Sequence, residues 1–331
     1  MSFTPESLPD LRGRVYLVTG GNAGLTIAKL NPLNSGYHTV LQLAAHHATV
    51  YLGSRSEAKG SAAIKEIKVT VPDADVHLLK MDNMNLKSIV SAAHELCKKE
   101  KRLHGLVNNA GVMATPFEKT VDGYESQFQI NYISHWLLTQ LLMPLILAAA
   151  SSSAPGVVRV VNVSSSAHGN APSNGIDLQD TDQKNGNPLS RYGSSKLANI
   201  LHVNELDRRY RLLTSSADGN DAEREIWFAS VHPGMVDTNL IRNANGSRML
   251  AIIASIVTTL MKVLPISVPP EKGAYTQLFA IASDRFTRAM SGAYLVPVAK
   301  VGTTTKQGKD EELAKALWEW TENEMKRAGF I

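Results

Sequence analysis

Cysteine is almost absent from the chain. A single copy, Cys97, excludes any intrachain disulfide among 331 residues and fits a reducing compartment, read as the cytoplasm. Apolar runs of membrane-spanning length are missing too. The longest, Met249–Met261, has 13 residues, is interrupted by Ser255, Thr258 and Thr259, and stops at Lys262. A span needs about 20 apolar residues. The first 13 residues are polar and carry Pro5, Pro9 and Asp10, so no secretory signal is expected. Charge of one sign is scarce: 34 Lys and Arg face 30 Asp and Glu, for a net +4, with one short basic cluster at Lys98–Arg102. A nucleic-acid partner would require a concentrated basic face, and none is expected. His46 and His47 are adjacent rather than four apart, and no Cys/His cluster exists, so no metal is expected.

What is present is a large reserve of core. Hydrophobic residues make up 44% and charged residues 19%, which excludes wholesale disorder. Short β-branched runs alternate with longer helical patterns. The spacing predicts strands at 14–19, 48–53, 76–80, 106–109, 157–163, 226–231 and 293–296. Helices are predicted near 57–68, 85–101, 122–149, 190–213, 271–283 and 309–328. Such alternation implies right-handed crossovers and a parallel sheet with helices on both faces. The polar stretches 151–156 and 215–221 separate no regions of different composition. The whole chain, 1–331, therefore reads as one domain.

Strand one ends in Thr19-Gly20-Gly21-Asn22-Ala23-Gly24-Leu25. Glycines at this place allow a tight turn and close backbone approach to a pyrophosphate facing a helix N-terminus. An ordinary βα turn is the competing reading of that cluster alone. Three later features join it: Asn108-Asn109-Ala110-Gly111 after strand four, the Tyr192-xxx-Lys196 spacing, and Pro233-Gly234 after strand six. In this order, from Gly13 to about Val298, the chain resembles the short-chain dehydrogenase/reductase family. Ser195–Leu201 and His232-Pro233-Gly234-Met235-Val236-Asp237-Thr238 are most similar to its retinol dehydrogenase and WW-domain oxidoreductase branch. The resemblance implies an α/β fold: a single Rossmann-type doubly wound parallel sheet of about seven strands.

The turn departs from the family's TGxxxGxG at Thr26. Setting aside Thr26–Ser35 would join Gly24-Leu25 to Gly36-Tyr37 and the amphipathic pattern Tyr37, Val40, Leu41, Ala44. Arg55 lies 31 residues beyond Gly24, and 21 once those ten are set aside; a ribose-recognising residue belongs about 20 beyond the glycines. Residues 26–35 thus read as an insertion, with Pro32 set to break any helix begun at Thr26. Strand two ends Leu52-Gly53-Ser54-Arg55 with no carboxylate to favour NAD, and an arginine fork suits a 2′-phosphate, so NADP(H) is the expected cofactor. The resemblance assigns Gly20, Asn22, Gly24, Leu25, Asn109, Val236 and Thr238 to the cofactor site, together with Tyr192 and Lys196. Asp82 matches the family's adenine-contacting acid and is equally placed to cap the helix near 85.

Tyr192 and Lys196, four apart, share one helix face. A free tyrosine ionises near pH 10, so acid–base work near neutrality calls for a lowered pKa, to which Lys196 would contribute. By resemblance, Ser165, within Ser164-Ser165-Ser166, holds the substrate oxygen, Lys196 also bonds the nicotinamide ribose, and Asn131 holds a water that relays protons to the lysine. A merely satisfied buried asparagine is the alternative for Asn131. The implied reaction is hydride transfer between nicotinamide and a carbinol or carbonyl carbon, with Tyr192 moving the hydroxyl proton.

Residues 235–270 are expected to cover the substrate. Their apolar part, 249–268, reads as a lid over a lipophilic alcohol or carbonyl compound, as a peripheral membrane contact, or as packing on the core or on another subunit of a homo-oligomer. Two functions compete: an active NADP(H)-dependent oxidoreductase, carried by Asn131, Ser165, Tyr192 and Lys196, and a non-catalytic binding protein disabled by the 26–35 insertion. The intact reacting set favours the enzyme.

Overall fold

The computed structural model describes residues 2–22, 35–213, 225–234 and 270–331, without the side chains of 211–213 and 270. One eight-stranded sheet runs through them in the order β3-β2-β1-β4-β5-β6-β7-β8. The strands are β1 (Val15–Thr19), β2 (Thr49–Ser54), β3 (Val76–Lys80), β4 (Gly105–Asn108), β5 (Val158–Val163), β6 (Ile226–Val231), β7 (Tyr294–Val296) and β8 (Lys300–Val301). The first seven pair in parallel, and β8 folds back antiparallel on β7. The eighth strand is an addition to the seven expected. It holds only Lys300 and Val301, both exposed, too short and too wet to show a period in sequence.

Seven helices flank the sheet among the described residues: α1 (Ser35–Ala45), α2 (Glu57–Thr70), α3 (Leu86–Lys99), α4 (Ser126–Ala150), α5 (Pro188–Leu213), α6 (Pro270–Ala282) and α7 (Glu311–Arg327). Helix starts follow local chemistry. Ser56 caps α2 by accepting from Lys59 N, and Asp310 caps α7 by accepting from Leu313 N. In α7, Glu311 and Glu312 fill the first turn while Lys326 and Arg327 fill the last, which complements the helix dipole. One apolar cluster lies under α3, α4, α5 and α7; the other joins α1, α2 and α6.

Helix α4 is long and apolar enough to cross a membrane by composition, but most of it is buried inside the protein, as in a core helix. Helix α7 locks it there. Trp318 packs edge-on against Trp136 at 5.3 Å, and the Tyr132 and Thr321 hydroxyls meet at 2.6 Å. The apolar stretch 249–268 lies outside the described residues.

The sheet order reverses between β1 and β4. Chain leaving β1 crosses one way to β2, and chain leaving β3 returns past β1 to β4. The C-terminal ends of β1 and β4 therefore face an open crevice, where ligands meet doubly wound sheets.

Candidate active site

The cofactor side of the crevice begins at Thr19, the last residue of β1. Its hydroxyl accepts the backbone N–H groups of Asn109 and Ala110, both at 2.9 Å, which binds the end of β1 to the loop after β4. Gly20 N donates to Gly53 O at 2.8 Å, and Asn22 is buried beyond it. Helix α1 starts at Ser35. A Cβ on Gly36 would overlap the Asn109 amide nitrogen and come within 3.1 Å of Gly20 O. Gly36 thus occupies the point where helix and turn touch, the place expected of the turn's last glycine. Gly24, Leu25 and Thr26 lie outside the described residues, as do Val236 and Thr238.

The other cofactor residues sit at strand ends. Arg55 follows β2, is exposed, and makes no ion pair among the described residues; its Nη1 lies 4.0 Å from Met84 Sδ. Asp82 follows β3, and its carboxylate accepts Met84 N at 3.0 Å. It does not cap α3. Asn85 does, accepting from Lys87 N and Ser88 N, because the helix begins three residues later than a cap at 82 requires. Asn109 points inward: its amide donates to Thr19 O at 2.8 Å, and its oxygen accepts from Ser35 Oγ at 3.3 Å and Gln277 Nε2 at 3.2 Å. Its side chain braces β1, α1 and α6 and its N–H is held by Thr19, leaving its backbone carbonyl for any ligand contact.

Three serines leave β5 and point three ways. Ser164 is buried and donates to Lys196 O at 2.7 Å, while Ser166 is exposed. Ser165 lies between them, and its side chain sits close enough to the Tyr192 hydroxyl to ease the ionisation of the phenol. Two contacts hold Ser165 in place: its Oγ accepts Ala167 N at 3.1 Å, and its carbonyl accepts the His168 Nδ1 proton at 2.7 Å. His168 also accepts Thr305 N at 3.3 Å and stands edge-on to Tyr294 at 5.1 Å. These contacts make it a scaffold residue. Gly193, directly after Tyr192, has no room for a side chain, because a Cβ would come within 2.6 Å of Ala171 N. The loop after β5 can therefore press against the first turns of α5.

Tyr192 and Lys196 are both buried, at 6% and 4% exposure. The lysine Nζ donates to Val163 O at 2.8 Å and lies 5.6 Å from the Tyr192 ring centre. Burial pushes the Tyr192 phenol up to about 12, although the neighbouring Ser165 side chain pulls it down, and burial brings the Lys196 amine down to about 7. The sequence-based expectation of a lysine-lowered tyrosine is thus corrected for the chain by itself. Desolvation acts on both groups and favours the neutral phenol.

Asn131 completes the set, with no exposed surface. It lies in a π-helical turn, Gln129–Ile133, inside α4. Its amide donates to Val112 O at 3.0 Å and Ser195 Oγ at 2.8 Å, and its oxygen accepts Val112 N at 2.9 Å. Above Gly111, a Cβ would meet Asn131 Oδ1 at 3.0 Å and Lys196 Nζ at 3.4 Å, so the two side chains converge there.

Several residues of the site carried no sequence signal strong enough to single them out. Arg191, buried beside Tyr192, donates to Gly186 O at 2.6 Å and Thr115 O at 3.3 Å and faces Glu125 at 3.5 Å. The pair ties the loops on the substrate side to the start of α4. Burial raises the Glu125 carboxyl, opposed by the Phe128 amide and by Arg191. The Tyr294 hydroxyl and His232 Nδ1 are buried with no hydrogen-bond partner among the described residues. Among those residues no group of three or more His, Cys, Asp and Glu is arranged to hold a metal.

Known proteins resemble this chain over nearly all of its length. The family model described as short chain dehydrogenase matches residues 14–177. The short-chain dehydrogenase/reductase drtF of Aspergillus calidoustus is 44% identical, covering 98% of this chain and 97% of the relative. Human retinol dehydrogenase 11 is 34% identical, covering 95% and 86%. Among solved structures, a putative uncharacterized protein from Mycobacterium paratuberculosis superposes with a TM-score of 0.71 at 28% identity, covering 98% of both chains. An NADPH-bound carbonyl reductase from chicken fatty liver gives 0.59 at 22% identity, covering 89% of this chain and all of that one, which supports the fold alone. With its glycine turn, its Tyr192–Lys196 pair and a 44% identical relative aligned along almost its whole length, the chain belongs to the short-chain dehydrogenase/reductase family, on its retinol dehydrogenase-like branch.

Proposed function

We propose that this member of the family is an NADP(H)-dependent oxidoreductase that interconverts an alcohol and a carbonyl on a lipophilic small molecule in the cytoplasm. The observation that carries the reading is the convergence of buried side chains on one spot: Lys196 Nζ is held on Val163 O, 5.6 Å from the Tyr192 ring centre, and meets Asn131 above Gly111. At neutral pH Tyr192 is a phenol, ready to give its proton to a carbonyl oxygen that Ser165 orients. The phenolate left behind gains from the protonated Lys196 on the same helix face. A bound nicotinamide supplies or takes the hydride. The residues present fit that group: α1 opens at Ser35 with Gly36 against Gly20, and its first turn carries no acid.

Arg55 supports the choice of NADP(H). It is exposed at the end of β2, where no carboxylate is present, and it makes no ion pair among the described residues. The carbonyl reductase that shares the fold is NADPH-bound, and a second structure of the same fold, RhlG of Pseudomonas aeruginosa, is an NADP complex. Fluorescence titration tests this directly. Arg55→Ala is expected to weaken NADPH binding about tenfold or more while changing NADH by less than about threefold. Equal losses would refute the 2′-phosphate role. Tight NADPH binding by the unaltered chain would also show that the 26–35 insertion is tolerated, which removes the ground of the non-catalytic reading, and turnover of a carbonyl compound would then decide between the two.

A further inference from the structure

The π-helical turn that carries Asn131 is held by side chains from outside it. Ser134 N reaches back to Gln129 O, and two further carbonyls of the turn take side-chain partners. Ile130 O accepts from Asn83 Nδ2 at 3.0 Å, and Asn131 O meets His135 Nδ1 at 3.0 Å. His135 is 1% exposed, and its burial pushes the imidazole down to about 4, so it is neutral at working pH.

Its tautomer follows from its neighbours. A carbonyl can only accept, so Nδ1 carries the proton and Nε2 must accept. Thr19 Oγ1 lies 2.9 Å from Nε2 and Asn83 Nδ2 lies 3.2 Å from it. Both acceptor positions of the Thr19 hydroxyl are taken by Asn109 N and Ala110 N. Its own proton is therefore free for the imidazole, the one other acceptor among the described residues being Val107 O at 3.4 Å. An ordered chain results, running from the N–H groups after β4, through Thr19 at the end of β1, through His135, to the Asn131 carbonyl.

We propose that His135 is a positioning residue of the reaction: by bonding Asn131 O on one side and Thr19 on the other, it holds the Asn131 turn in register with Ser195 and Lys196. The inference rests on the reading of Tyr192 and Lys196 as the reacting pair. His135 itself touches neither substrate nor reacting atoms.

Two substitutions separate the bonds. His135→Asn keeps a donor where Nδ1 was and loses the acceptor toward Thr19. His135→Gln keeps an amide toward Thr19 and loses the donor to Asn131. Glutamine is expected to lower kcat about tenfold or more with the KM for NADPH within about threefold, and asparagine to retain kcat within about threefold. A glutamine variant with wild-type kcat would overturn the proposal. So would equal losses of kcat in both variants that track their losses of Tm, since that pattern is packing alone.

A second measurement needs no turnover. In protein labelled with nitrogen-15 histidine, the His135 resonances, identified by their loss in His135→Asn, should report a proton on Nδ1 and none on Nε2 from pH 6 to 9. The opposite tautomer, or titration within that range, overturns the clamp whether or not a substrate is known. The expected tautomer in a wild-type chain that turns over no carbonyl compound with NADPH supports the clamp and counts against the reacting-pair reading instead.

Discussion

The two faces of the sheet are built differently. Under α1, α2 and α6 the core is mostly aliphatic and aromatic; among its buried polar groups Thr39, Ser35 and Gln277 bond to one another, and Arg159 donates to Ala280 O and Ser283 O. Under α3, α4 and α5 an equally closed core carries a polar seam. Asn108 donates to Thr139 at 3.1 Å and Asn162 at 2.8 Å, Asn162 meets His202 at 3.1 Å, and Asn199 joins Lys196 on Val163 O. Buried polar groups cost stability unless they are paired, so this seam holds its members in place rather than adding strength. All four expected reacting residues border it. The apolar face stabilises the fold; the polar face aligns chemistry.

The largest expected effect falls on the polar face. Tyr192→Phe should lower kcat about a thousandfold or more with circular dichroism unchanged, because the phenol is the proposed proton donor; retained turnover in a steady-state assay would sink its role. On the apolar face the effect should be on stability alone. Leu43→Ala, at a position with no exposed surface, should cost about 3 kcal/mol in urea unfolding while kcat per folded molecule stays near wild type.

Lys196→Met sharpens the contrast, since it should abolish turnover yet stabilise the cofactor-free protein. The folded amine titrates at about 7, against 10.5 for the ordinary lysine. Between those values the unfolded chain binds more protons, so wild-type stability rises with pH across that window. The variant should therefore be more stable by a few kcal/mol at pH 7, with the gap closing toward pH 10.5, as followed by urea unfolding at several pH values. A constant gap would mean that the amine is not depressed in the folded state.

A smaller effect is expected at the join of the two faces. Gly36→Ala places a methyl on the Asn109 amide, which is pinned by Thr19 and Gln277 and cannot yield cheaply. A loss of about 1–3 kcal/mol, seen as a lower Tm and weaker NADPH binding, is expected. Unchanged binding would show that the turn does not depend on that contact.

Much of this was legible in the chain itself. Seven of the eight strands and every described helix announce themselves by β-branched runs and apolar periods, because each buries a face that the pattern must supply. The count that set Arg55 about 20 residues past the glycines also singled out Gly36, and in the fold Gly36 is the residue that touches Asn109 and Gly20. Tyr192 and Lys196 were readable because four residues is one helical turn.

Other features had no such local signature. Asp82 and Asn85 are both sound capping residues, and only the place where α3 begins selects Asn85. Ser164, Ser165 and Ser166 are alike in sequence; β5 pairing turns the first inward and leaves the second beside Tyr192. The Tyr192 pKa depends on water excluded by distant segments, so spacing suggested a lowered value where burial raises it.

The sequence by itself determined the element order and the family and singled out the expected reacting residues, since these rest on periodicity and on spacings within single helices and turns. Only the tertiary structure decided which of their polar atoms meet. Thr19, Asn83, Asn131 and His135 come from β1, the loop after β3 and two turns of α4, and their hydrogen bonds exist only once the sheet has brought those ends together.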